Sequence, residues 1–140
     1  TLKGISVIVP SRAEYETGFA GWVTHLCRMA VQLGCRIRFH SDTQSVKSLR
    51  AAADNADAGT LAEIVPADKA SLQDRMDIRV DREHLLVVVS ARQGSISYDP
   101  AFDRLPALLN RYFQECNLMI LYPEQIDRQD IVSFSDPRGN

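Results

Sequence analysis

An excess of basic charge is missing from this sequence: 16 Lys and Arg stand against 18 Asp and Glu, a formal net charge of −2. Nucleic-acid binding normally needs a basic stripe to neutralise phosphates, so DNA and RNA are excluded as main partners. Cysteine is scarce. Cys27, Cys35 and Cys116 form an odd set with no CxxC pair, which points to buried, reduced thiols rather than a disulfide framework. Long apolar runs are missing too. None approaches the roughly 20 residues of a membrane span, and no signal peptide is visible. There are no internal repeats and no low-complexity tract.

What remains is an ordinary globular composition, 45% hydrophobic and 24% charged over 140 residues, enough for one domain with a real core. The informative stretch is LLVVVSARQGSISY, residues 85–98, read with NLMILYPEQ, residues 117–125. Continuous apolar runs of this kind suit parallel strands covered by helices on both faces. Ligands of such sheets gather beyond the carboxyl ends of the strands. The loop from Ser90 to Ser95 is therefore a place to seek a binding site.

Strands are expected at Ile5–Pro10, Cys35–His40, Leu61–Pro66, His84–Ala91 and Leu118–Tyr122. In the second, Cys35, Ile37 and Phe39 alternate with polar residues, which leaves one face partly wet. Between the strands, Tyr15 to Leu33 reads as a helix in which Phe19, Trp22, Val23, Leu26, Ala30 and Leu33 recur at helical spacing, with Gly34 at the C-cap position. Asp42 or Thr43 stands where an N-cap is expected for a helix running to Ala56. Ser71–Val80 carries a short helical pattern through Leu72, Met76 and Val80. Phe102, Leu105, Leu108, Leu109, Tyr112 and Phe113 mark a further helix, with Pro106 in its first turn. Residues 1–125 thus read as one α/β domain, and residues 126–140 as a polar C-terminal tail. The architecture predicted is a three-layer sandwich around a five-stranded parallel sheet of order 3-2-1-4-5. Its crevice opens between strands one and four.

Ser11 and Arg12 follow strand one; Ser90, Arg92, Gly94 and Ser95 follow strand four. Two guanidinium groups with serine hydroxyls, Ser97 among them, suit an anion such as a phosphate. These six numbered residues are the candidate ligand site. Gly94 has a second reading, as a residue that needs a positive φ angle. No GxSxG elbow surrounds Ser90 or Ser95 and no SGGxD pattern is present, so no catalytic residue is assigned. His25, His40 and His84 match no metal-ligand spacing, and His40 reads as a surface histidine. Tyr98 and Phe102 read as packing against the following helix. The mixed run Asp74, Arg75, Asp77, Arg79, Asp81, Arg82 and Glu83 reads as a solvated face.

The strand order, with VVVSARQGSISYDPAFDRLP and NLMILYPEQ, resembles the universal stress protein fold of the adenine-nucleotide α-hydrolase-like group. Residues 85–125 look like the cytoplasmic C-terminal domain of bacterial cation:proton (sodium/proton) antiporters. That resemblance implies a non-catalytic regulatory domain at the cytoplasmic face of the inner membrane. Its partners would be the membrane domain of the same antiporter and a second copy in a homodimer, since an apolar last strand would otherwise leave a bare sheet edge. It also implies an adenine nucleotide as candidate ligand. Of the family's G-2x-G-9x-G-[ST] pattern, only Gly94-Ser95 is present. Val9-Pro10-Ser11 stands where nucleotide-binding members carry an Asp. The alternative is a free-standing universal stress protein that binds an adenine nucleotide. The chain begins with Thr1 rather than Met, so a larger parent protein is expected.

Overall fold

The computed structural model describes residues 2–124; the expected tail at 126–140 lies outside them. Five parallel strands form one sheet in the order β3-β2-β1-β4-β5. They are β1 (Gly4–Ile8), β2 (Arg36–Ser41), β3 (Ala62–Pro66), β4 (His84–Val89) and β5 (Asn117–Leu121). The helices are α1 (Phe19–Leu33), α2 (Val46–Asn55), the single turn α3 (Leu72–Arg75) and α4 (Leu105–Tyr112). This is the predicted three-layer arrangement and strand order.

Burial explains the order. Every residue of β1 and the last four of β4 are buried, as central strands covered on both faces must be. Ile5, Val7, Ile37, Phe39, Val87 and Val89 meet Trp22, Val23 and Leu26 of α1 and Leu49 and Ala53 of α2. Ile8, Leu86 and Val88 face the other way, against Leu72, Met76 and the α4 residues Leu105, Leu108 and Leu109. The second layer is thin over β2, because α3 is only four residues long. Arg36 and Arg38 therefore stay exposed, and Arg38 pairs across the sheet with Glu63 at 2.7 Å. The alternating pattern of β2 is the imprint of that missing cover.

Several boundaries differ from the expectation, each for a local reason. β1 stops at Ile8 because Pro10 has no N–H to continue the ladder. The first helix starts at Phe19 rather than Tyr15; Ala13–Tyr15 forms a separate 3-10 turn. Gly34 does close α1, with φ 65° and its N–H on the Ala30 and Val31 carbonyls. A second 3-10 turn, Thr43–Ser45, precedes α2, and neither Asp42 nor Thr43 caps it through a side chain. The helix expected over Ser71–Val80 shrinks to α3, whose N-cap Ser71 accepts the Asp74 N–H at 3.2 Å. Pro106 sits in the first turn of α4, where its missing N–H is harmless.

Candidate functional site

The carboxyl ends of β1 and β4 border a small crevice of about 120 Å³ at the predicted chain reversal. Pro10, Ser11 and Arg12 line it from β1, Leu72 and Arg75 from α3, and Ile96 to Asp99 from the loop after β4. Asp99 ties two of these walls together. Its carboxylate accepts the N–H of Leu72 at 2.9 Å and of Ala101 at 2.8 Å, fixing α3 against the loop.

The cation at the heart of the crevice is Arg75, only 3% exposed. It donates to Asp42 and, at 3.2 Å, to Ser11 Oγ. Ser11 passes the bond on, donating to the other Asp42 oxygen at 2.5 Å. Burial alone would push the Asp42 carboxyl up. The hydrogen bonds from Ser11 and Arg75, with the guanidinium charge, outweigh it and hold the group below the usual carboxylate range. Asp42, expected as a helix cap, is instead the counter-charge of a buried arginine.

The run from Asp74 to Glu83 is correspondingly not uniform. Its other members are exposed, while Arg75 is buried. Arg75 lies three residues after Leu72 and one before Met76, both buried in the second core. It shares their inward face, a placement visible in the spacing once α3 is drawn as a helical turn.

Of the six candidate residues, the structure brings two to the crevice, Ser11 and Arg12. Arg12 is exposed and holds a left-handed backbone, φ 64° and ψ 19°, uncommon for a residue with a side chain. Ser90 is buried at the end of β4, with its N–H on the Leu121 carbonyl at 2.8 Å. Arg92 is exposed and lies outside the crevice lining. Gly94 has φ 94°, the positive angle for which glycine is suited. Ser95 turns its hydroxyl back to the Arg92 carbonyl at 2.7 Å and closes the turn. Gly94 and Ser95 therefore shape the loop, while Ile96 to Asp99 form the wall of the crevice.

Ser97, grouped with the anion-suited serines but outside the six candidate residues, does reach the crevice. It is 4% exposed, lines the crevice, and its hydroxyl has no hydrogen-bond partner among the described residues. A buried hydroxyl left without a partner is unfavourable. Tyr98 also lines the crevice, donating to Asp103 at 2.7 Å and packing on Phe102 at 6.3 Å between ring centroids.

His40 is half-buried rather than a surface residue, and its Nε2 is buried without a partner among the described residues. Burial and the nearby charges of Arg38 and Arg75, only partly opposed by Glu63, push it down to about 4. It stays neutral near pH 7. Burial also raises the three free thiols, Cys27 to about 11, so none is a ready nucleophile. Cys116 is only half-buried. Among the described residues, no group of three or more His, Cys, Asp or Glu could hold a metal, and no helix is long and apolar enough to cross a membrane.

No family model and no curated protein matches the chain. Among solved structures, it is similar to a universal stress protein in complex with cAMP. The identity is 19%, over 87% of this chain and 98% of that chain, with a TM-score of 0.44. The cAMP is a property of that protein, and no residue role is carried across from it.

Proposed function

We propose that this chain is a non-catalytic regulatory domain that holds a small anion, phosphate-sized, in the crevice between β1 and β4. The observation that carries the reading is the orphaned Ser97 hydroxyl, buried in a crevice that also contains Arg12 and Arg75. Arg75, paired with Asp42, fixes one guanidinium in the crevice wall, and Arg12 brings an exposed one to its mouth. At about 120 Å³, the space is well below the roughly 300–1,000 Å³ of ordinary small-molecule pockets. That favours an inorganic anion, or one phosphoryl group of a larger ligand, over an enclosed adenine nucleotide. Ser11 is already engaged, donating its hydroxyl to Asp42 and accepting from Arg75.

The likeness of residues 85–125 to antiporter tails supports a place for the domain on the cytoplasmic side of a cation:proton antiporter. There, anion binding would bias the transporter between states. The apolar edge strand supports a homodimer: on β5 and just after it, Leu118 is 41% and Tyr122 66% exposed. The reading frame ahead of Thr1 tests the transporter assignment. About ten or more apolar spans of ~20 residues there fit it; an immediate start codon ends it.

The ligand is tested by calorimetric titration with phosphate, sulfate, ATP, ADP, AMP and cyclic nucleotides. The expected result is saturable binding of phosphate that is lost in Arg12→Ala/Ser97→Ala. Binding of a nucleotide but not of phosphate would favour the free-standing adenine-nucleotide binder instead.

A further inference from the structure

We propose that Glu16 is a built-in competitor for the anion, a carboxylate of this chain that already occupies the backbone donors next to the crevice. The inference rests on the anion reading above and adds what regulates that site. Glu16 follows the 3-10 turn after β1 and is 7% exposed. Its Oε1 accepts the N–H of Ile96 at 3.0 Å and of Ser97 at 3.3 Å. Ile96 and Ser97 are themselves crevice wall. One peptide segment therefore presents two successive amides to Glu16, and the Ser97 hydroxyl lies in the same wall without a partner.

Paired backbone amides at the end of a loop form a concave donor site suited to one negative oxygen. Here the negative oxygen belongs to the protein. An incoming anion can use the Ser97 hydroxyl and the arginines, but it gains the Ile96 and Ser97 amides only when Glu16 leaves them. The two carboxylates differ in what holds them: Asp42 is ion-paired with the buried Arg75, while Glu16 accepts from the neutral loop amides of Ile96 and Ser97. The Glu16 segment is pinned by the Gly18 N–H on the Glu124 carbonyl at 2.9 Å. The approach is so close that a Cβ on Gly18 would lie 2.6–2.7 Å from Glu124 backbone atoms. The strap carrying Glu16 is thus fastened to the chain just after β5.

Amide NMR titration with inorganic phosphate tests this on the wild type, Glu16→Ala, Glu16→Gln and Ser97→Ala. Glu16→Ala vacates the amides; Glu16→Gln leaves an acyl oxygen on them without the charge. The expected result is phosphate bound by Glu16→Ala at least about tenfold more tightly than by wild type, with Ile96 and Ser97 amides shifting most. Glu16→Gln falls between the two. Equal or weaker binding by Glu16→Ala overturns the inference. Should that variant not fold, Glu16→Gln decides: tighter binding than wild type supports the inference, equal or weaker binding overturns it. The function proposed above fails separately, through absence of phosphate binding in the wild type. If Glu16→Ala then gains it, the competitor role stands alone. Wild-type binding lost in Ser97→Ala but unchanged in Glu16→Ala keeps that function and removes the competitor.

Discussion

Replacing Asp42 by Asn probes the charge that holds the crevice together. The substitution preserves shape and leaves an amide oxygen to accept the Ser11 hydroxyl. It removes the negative partner of Arg75, a guanidinium whose side chain is 4% exposed. An exposed ion pair is worth ~1 kcal/mol or less, but an uncompensated charge left in a protein interior costs about 3–5 kcal/mol. Arg75 retains the Ala67 carbonyl at 3.4 Å and Ser11 Oγ at 3.2 Å, neutral acceptors that do not replace a carboxylate. The loss expected is therefore about 3 kcal/mol, nearer the low end because Asp42 itself is partly solvated. With a urea m value of ~1–3 kcal/mol/M, the unfolding midpoint falls by roughly 1–3 M. Trp22 is the single tryptophan and lies in the α1 core, so its fluorescence reports the transition. The double variant Asp42→Asn/Arg75→Met, which removes both charges, regains most of the loss. A cost under ~1 kcal/mol for Asp42→Asn would refute the argument, because that is the worth of a solvated pair.

Acid sensitivity follows from His40. Its folded value of about 4 lies below the ordinary 6.5, so the neutral form stabilises the fold fully above pH 6.5. That contribution is lost as pH falls from 6.5 towards 4, and Asp42 adds its own loss at lower pH. Urea midpoints measured from pH 7 to 4 should decline, and less steeply in His40→Phe; superimposable profiles would contradict the assignment. Arg12→Gly relieves a left-handed backbone, φ 64°, and should raise stability by about 1 kcal/mol in thermal or urea melts while weakening phosphate binding. A melt in which Arg12→Gly is destabilised would mean that the arginine side chain outweighs its backbone strain. Leu118→Lys on the exposed edge strand should convert a dimer to a monomer by light scattering; an unchanged mass would place any dimer interface elsewhere.

The layers were legible because the sequence writes burial directly. A strand covered on both faces reads as an unbroken apolar run, as β1 and β4 do, and half-cover reads as the alternation of β2. Position in the sheet followed from that contrast. The crevice was legible in place but only partly in membership. Strand-end loops identified Ser11 and Arg12, yet the residues that hold charge there, Arg75, Asp42 and Glu16, come from three segments that meet only in the folded chain. Asp42 resembled a cap because caps and buried counter-ions use the same residue type at the same helix entrance. Arg75 was hidden among six exposed charged neighbours, although its spacing from Leu72 placed it inward. Nothing in the local pattern around Glu16 signals a partner eighty residues away. Ser95 looked like a ligand residue because it follows a glycine; its hydroxyl instead closes the turn that Gly94 permits.

The central claim is that a small anion satisfies the buried Ser97 hydroxyl. Calorimetric titration of phosphate into the wild type and Ser97→Ala tests it most directly, since a single oxygen atom separates the two proteins. A hydrogen bond to a charged partner is worth about 1.5–3 kcal/mol, and 1.4 kcal/mol is tenfold in affinity. The account predicts saturable binding by the wild type and a Kd raised at least about tenfold in Ser97→Ala. Equal affinities, or no binding by the wild type, would contradict it.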